Sequence, residues 1–244
     1  MGTQNTIISI AKNSDMIADA LTLVNFIFGH GSREARHAIQ VTNTFIGIRN
    51  EGGHCLEIAE DVEDQIIAAL FHDFACKNNA SDIRKFADAY SSEGASQYLS
   101  LIRECQPFAD DNFEDFMGDA SLADVVNKHK RFYERFRSAP DFVIALKVAH
   151  RYVILRDLVK DTYRPEPFYD IEDLELFALI THHQVEPLAR QVAPQFADKL
   201  LRRKSGFLLH RALVLLGERE NRPGVDKGKD EHIGVDKGTA YFAR

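Results

Sequence analysis

Apolar residues recur at helical spacing along most of the chain, and no segment shows a sustained two-residue alternation. One such pattern covers residues 15–28, where Asp15 is placed to cap a helix and Gly29 to end it. A second pattern covers residues 32–51, with Ser32 placed as its cap. The spacing therefore predicts helices and no sheet, which is typical of an all-α protein.

Two further helices carry the longest apolar stretches. The first runs from about Glu57 to Phe71, and the second starts at Pro140-Asp141 and continues through Leu158. Two or three more helices are predicted between residues 170 and 219. Residues 221–244 contain the sequence Gly-Val-Asp-Lys-Gly twice and predict a turn-rich or flexible tail. We therefore expect one all-α domain over residues 1–220, followed by this tail.

Composition and charge narrow the class of partner. Hydrophobic residues make up 45% of the chain and charged residues 27%, as in ordinary globular proteins. The 37 acidic residues outnumber the 30 basic ones, and a net charge of −7 argues against a polynucleotide partner, which needs a basic face. The apolar runs are shorter than the ~20 residues that span a bilayer, so no membrane partner is expected. Three cysteines without a C-x-x-C pair favour a reduced, cytoplasmic protein.

Residues that can bind metals lie within two of the predicted helices and directly after a third. His72-Asp73 follows directly on an apolar helix, and His37 and His150 lie within the second helix and the long late helix. Charged groups are rarely buried unless they are paired or bound to a metal. If each helix offers its ligand at the same depth, the four side chains gather around one ion. Imidazole nitrogen and carboxylate oxygen suit Zn, Mn, Fe, Co or Ni, so we predict one divalent transition-metal ion.

Three segments around these residues are similar to motifs of a known family. Residues 34–42 (EARHAIQVT) resemble the motif Y-I-x-H-P-I-x-V-A, and residues 68–73 (AALFHD) resemble A-A-L-L-H-D. Residues 147–158 (KVAHRYVILRDL) resemble K-L-A-D-R-L-H-N-L-R-x-L. These are motifs of the HD superfamily of metal-dependent phosphohydrolases, and in particular of the hydrolase domain of RelA/SpoT-type alarmone enzymes. The resemblance covers about residues 30–160 and implies an HD-type helical bundle with additional C-terminal helices.

The chain departs from this family at positions that carry the chemistry. His150 stands where the family has a final aspartate ligand, and Ile154 stands where it has asparagine. The family's H-D-x-x-E-D run is His72-Asp73-Phe74-Ala75-Cys76-Lys77 here, without the second pair of carboxylates. A histidine in place of aspartate favours Zn, Fe, Co or Ni over Mn or Mg. The missing carboxylates disfavour hydrolysis of the alarmone itself.

The resemblance nevertheless implies a phosphohydrolase acting on a nucleotide or related small phosphoester, with a metal-activated water as nucleophile. The implied metal ligands are His37, His72, Asp73 and His150. Asp73 is also the implied catalytic residue. Arginine and lysine side chains suit phosphate oxygens. The implied substrate-binding residues are Arg36, Arg151, Lys128 and Arg131.

Two other functions stay open on the sequence. One is a degenerate HD protein that binds a nucleotide or a protein partner without turnover, which the missing carboxylates favour. The other is a dinuclear-iron oxygenase of the HD fold, for which His129 and His182-His183 occur in a suitable order. Asp157, two turns beyond His150, could orient a ligand or be an exposed helix carboxylate. The apolar faces of the C-terminal helices are expected to complete the core, with a homodimer contact as the alternative.

Overall fold

The computed structural model of the protein describes residues 6–51, 60–73, 93–105, 127, 130–131, 133–134, 136–164 and 171–220. All regular secondary structure in these residues is helical, which confirms the all-α prediction. The predicted tail, residues 221–244, lies outside the described residues. None of the described helices is both long and apolar enough to cross a membrane.

Six helices form the N-terminal and central part of the described chain. They are α1 (Thr6–Ala11), α2 (Asp15–Phe28), α3 (Arg33–Glu51), α4 (Glu60–Leu70), α5 (Glu93–Cys105) and α6 (Asp141–Asp161). The remaining segments are α7 (Ile171–Ile180), a π-helical segment (Thr181–Val185), α8 (Glu186–Val192), α9 (Pro194–Phe196), a second π-helical segment (Ala197–Leu201) and α10 (Arg202–Glu220).

The helix starts agree with the sequence in one case and differ in another. Ser32 caps α3 as predicted, because its Oγ accepts a hydrogen bond of 3.0 Å from the Ala35 amide. The cap of α2 is Ser14 instead of Asp15, since the Ser14 Oγ accepts from the Ile17 amide at 3.3 Å. Asp15 is the first residue of the helix, where its negative charge still favours the helix dipole.

Helices α3 and α6 pack side by side and form the centre of the fold. The rings of Phe45 and Phe142 are 5.4 Å apart, and those of His37 and His150 are 5.1 Å apart. Residue numbers therefore rise along α3 as they fall along α6, so the two helices are antiparallel. Helix α6 is buried on nearly all sides, and one apolar core extends from Ile7 to Ala212. This core joins the N-terminal, central and C-terminal helices of the described residues.

The C-terminal helices close the core, as the sequence predicted for their apolar faces. The buried side chains are Leu174, Phe177, Ile180, Leu208 and Ala212. The two π-helical segments were not predicted, because one extra residue in a turn changes the backbone bonding without interrupting the apolar pattern.

A close approach between α4 and α5 requires glycine at position 94. A Cβ atom there would lie 1.9 Å from Oδ2 and 2.7 Å from Cγ of the buried Asp64. Gly94→Ala is therefore expected to lower the free energy of unfolding by about 3 kcal/mol or more, measured by urea denaturation.

Gly47 in α3 provides the matched control, since a Cβ atom there meets nothing within 4 Å. Gly47→Ala is expected to be neutral or to stabilise the protein by up to about 1 kcal/mol, because alanine favours the helix. Equal effects of the two substitutions would contradict the close approach of Asp64 to α5.

Candidate metal centre

The structure brings the four predicted metal ligands together from three helices. His37 lies near the start of α3, His72 and Asp73 follow the end of α4, and His150 lies in the middle of α6. One potential ligand atom from each residue lies within 4.8 Å of those of the other three. This cluster could hold a metal ion, as predicted from helices that deliver ligands at one depth.

The ring of His72 is held by a backbone hydrogen bond, as is typical of a metal-binding histidine. Its ring is 2% exposed, and its Nδ1 lies 2.8 Å from the carbonyl oxygen of Ala69. A carbonyl oxygen only accepts, so Nδ1 carries a hydrogen and Nε2 is the ring nitrogen left for a ligand. That Nε2 is buried without a hydrogen-bond partner, 3.2 Å from Oδ1 of Asp73. A proton on Nε2 or a bound cation can join these two groups, and a metal ion would also engage the other clustered ligands.

The other two histidines complete a compact triangle of rings. The ring centroids of His72 lie 5.7 Å from His37 and 5.3 Å from His150. The ring planes meet at 47° for the first pair and 73° for the second, so the rings converge edge to face without stacking. The three imidazoles therefore surround a common space next to the Asp73 carboxylate.

Burial keeps two of these imidazoles neutral. Desolvation lowers the pKa of His37 to about 4, although the carboxylate of Asp73 opposes the shift. Burial also holds the pKa of His150 well below its ordinary value, with the neighbouring imidazoles and Lys147 acting in the same direction. A neutral imidazole is the form that binds a metal, so His37 and His150 are ready ligands at neutral pH.

Sequence reasoning missed a buried cation beside the cluster. Lys147 is buried on α6, one turn before His150, with its Nζ 5.9 Å from the ring centre of Tyr133 and 5.6 Å from that of Phe136. The signal in the sequence was a lysine three residues before a predicted ligand within an apolar run. Its position on the same face of α6 adds positive charge near the cluster.

The predicted substrate-binding residues differ in their exposure and contacts. Arg151 is 8% exposed, and its guanidinium is hydrogen-bonded to Thr181 and to the Phe177 carbonyl. The guanidinium is held inside the fold by α7 and the π-helical segment Thr181–Val185, and its contact with a substrate phosphate stays a prediction. Arg36 and Arg131 are exposed, so phosphate binding by them stays a prediction. Lys128 lies outside the described residues.

Asp157 lies near the cluster without belonging to it. It is 42% exposed, and its Oδ1 lies 3.2 Å from Nζ of Lys160 and 3.6 Å from Nε of Arg156. Its carboxylate raises the pKa of His37, although less than Asp73 does. Asp157 therefore contributes charge at the edge of the site, and its ion pairs are those of an exposed helix carboxylate.

The histidines suggested for a second metal are not part of the cluster. Nδ1 of His182 lies 2.9 Å from Oε1 of the buried Glu186, and its ring packs against His183 at 4.9 Å. Among the residues whose placement is described, no ligand group combines either histidine with the four clustered residues. His129 lies outside the described residues.

No protein-family model, curated protein or solved structure matches this chain. The HD-type assignment therefore stays a prediction from the sequence motifs, and the function has to be argued from the site.

Proposed function

We propose that this protein is a metal-dependent phosphohydrolase that acts on a nucleotide or similar small phosphoester. The convergence of His37, His72, Asp73 and His150 within 4.8 Å carries the proposal. These are the residues that the HD-type motifs single out, although they are separated by up to 113 residues along the chain (150 minus 37). Because three nitrogen donors and one carboxylate converge, the site suits Zn, Fe, Co or Ni better than Mg or Ca.

The ligands would leave part of the coordination sphere open. In that position, a divalent ion supplies a Lewis acid for a phosphoryl oxygen and lowers the pKa of water. Nδ1–H of His72 donates to Ala69, so the backbone holds this ring and its Nε2 lone pair in one orientation. The chain thus provides a pre-formed donor set, which does not have to reorganise when substrate arrives.

Asp73 is the proposed catalytic residue because it is the carboxylate within the cluster. It is 24% exposed, so a water or a substrate group can reach it from solvent. Its Oδ1 lies 3.2 Å from His72 Nε2, on the side where the ligand atoms converge. A carboxylate there can accept a hydrogen bond from an attacking water and orient it toward phosphorus.

Local charge favours an anionic substrate. The cluster has one carboxylate and three imidazoles. With a divalent ion bound, positive charge exceeds negative charge inside a partly buried site, where electrostatic attraction is strong. A phosphate group satisfies this excess, whereas the acidic overall charge of −7 disfavours a long polynucleotide.

The protein loaded with Zn²⁺, Co²⁺, Mn²⁺, Ni²⁺ or Fe²⁺ is expected to release phosphate or pyrophosphate from a member of a nucleotide panel. Asp73→Asn is expected to lower kcat about 100-fold or more, because it removes a metal-binding and water-orienting carboxylate. Arg36→Gln, at an exposed position beside His37, is expected to raise KM and leave the metal content unchanged.

Other results would identify a different protein class. Nucleotide binding without turnover under every metal would indicate a degenerate HD protein. Two irons per chain with substrate-dependent consumption of oxygen would indicate the oxygenase. Either result would overturn the phosphohydrolase proposal.

A further inference from the structure

Helix α6 presents two successive residues to different parts of the fold. His150 points toward His37 and His72, as the ring distances of 5.1 and 5.3 Å show. The next residue, Arg151, lies about 100° further around the helix and faces α7 instead. The C-terminal helices supply none of the four clustered ligands, yet they hold the side chain that follows one of them.

The contacts of Arg151 with α7 are directional. Its Nε donates to Oγ1 of Thr181 at 2.9 Å, and its Nη2 donates to the carbonyl oxygen of Phe177 at 3.1 Å. The centre of the guanidinium lies 3.3 Å from the centre of the Phe177 ring. Thr181 is itself buried and held in place, since its Oγ1 donates to the Phe177 carbonyl at 2.7 Å. These contacts fix the guanidinium in position and in orientation.

The contacts of Arg151 with Phe177 and Thr181 form a clamp on α6. This clamp matters because of the way the helix is packed. The helix is buried mostly by apolar side chains, whose contacts set its distance from its neighbours but depend only weakly on direction. Side chains extend to a radius of about 5–6 Å, so a rotation of about 10° would move the His150 ring by about 1 Å. A displacement of this size spoils the geometry of a metal ligand.

We propose that Arg151 is a positioning residue of the metal centre: by clamping α6 to Phe177 and Thr181, it sets the rotation of the helix that places His150 among the other ligands. The proposal rests on the metal centre of the proposed function and not on the identity of the substrate. It assigns the C-terminal helices a part in the site, in addition to completing the core.

The test compares two variants of the clamp with a control on α10 that contacts the far end of α6. Arg151→Met keeps an unbranched side chain over Phe177 and removes both hydrogen bonds, whereas Thr181→Val removes one acceptor and keeps the volume. Arg211→Met is the control, since Nη2 of Arg211 donates to the Thr162 carbonyl at the far end of α6 at 3.1 Å. The probe is Co²⁺ alone, followed by titration and by its visible absorption spectrum.

Arg151→Met is expected to weaken Co²⁺ binding about 10- to 100-fold and to change the absorption spectrum. Thr181→Val is expected to change both in the same direction by a smaller factor. Arg211→Met is expected to leave the Kd and the spectrum of the Co²⁺ protein unchanged, even if it lowers stability. Equal effects of Arg151→Met and Arg211→Met on the Kd would overturn the proposal, because loss of stability would then explain both. If Arg151→Met does not fold, Thr181→Val decides, and an unchanged Kd and spectrum would overturn it.

A second readout distinguishes failure of the clamp proposal from failure of the proposed metal-dependent function. If the wild-type protein binds no Co²⁺, the proposed metal-dependent function fails, and the clamp is tested in the metal-free protein. Nuclear magnetic resonance of the histidine rings should then show a shift of the His150 signals in Thr181→Val and none in Arg211→Met. Unchanged His150 signals in Thr181→Val would overturn the positioning role.

Discussion

Purified protein is expected to hold about one divalent transition-metal ion per chain, and His72→Ala is expected to weaken that binding at least about 100-fold. Nε2 of His72 is buried without a hydrogen-bond partner and lies 3.2 Å from Oδ1 of Asp73. A bound cation satisfies both groups at once. The substitution removes the least exposed side chain of the four ligands, which is 2% exposed.

Bound metal is also expected to stabilise the fold, because the unfolded chain does not hold the four ligands together. At a free metal concentration about 100 times the Kd, the free energy of unfolding should rise by about 2.7 kcal/mol. Elemental analysis and urea denaturation with and without Zn²⁺ measure the two effects. His210→Ala, at an exposed histidine of α10, is the control and should keep both. Wild-type protein that takes up no metal, with His72→Ala equally stable, would rule out a metalloenzyme.

The metal-free protein is expected to lose stability as the pH falls from about 6.5 toward 4. Burial lowers the pKa of His37 from 6.5 in the unfolded chain to about 4 in the folded protein. Within that window the unfolded chain binds a proton that the folded protein does not, so acidification favours unfolding. The shift corresponds to about 3 kcal/mol for His37, and the lowered pKa of His150 acts in the same direction.

A variant without the titrating ring isolates this contribution. His37→Asn keeps a polar side chain at the position and cannot take up a proton in this range. Urea denaturation of both metal-free proteins across pH 4–7 should show a flatter pH dependence for the variant, whatever its absolute stability. The difference between the two curves reports His37 together with the charges that act on it, chiefly that of Asp73. Parallel curves would show that burial does not shift this pKa.

The helices that could be predicted are those with a long apolar stripe and a clear cap. Helix α3 starts after Ser32 as expected, and α6 starts after Pro140 and extends three residues beyond the predicted Leu158. The short α1 was not predicted, since six residues provide less than two turns of pattern. No bounds were predicted for α5 either, and the glycine at its second residue, Gly94, is required by the close approach of Asp64 of α4. Local pattern cannot show such a contact between helices.

The sequence predicts the residues of the candidate metal site but not the contacts of the side chains around them. His37 and His150 lie within apolar helical patterns and His72-Asp73 follows one, and each of these signals is local. Nothing local distinguishes an arginine that faces solvent from one that faces a neighbouring helix. The predicted role of Arg151 in substrate binding therefore followed from its position next to His150, whereas the fold turns its side chain toward Phe177 and Thr181.

The sequence by itself determined the all-α class, the main helices and the four residues that could bind a metal, because these depend on apolar spacing and side-chain chemistry. Only the tertiary structure decided that the four ligand atoms converge within 4.8 Å and that the buried Nε2 of His72 lies 3.2 Å from Oδ1 of Asp73. It also decided that burial lowers the pKa of His37 and His150. Distance, burial and the direction of a proton are properties of packed helices, and they arise only when distant parts of the chain meet.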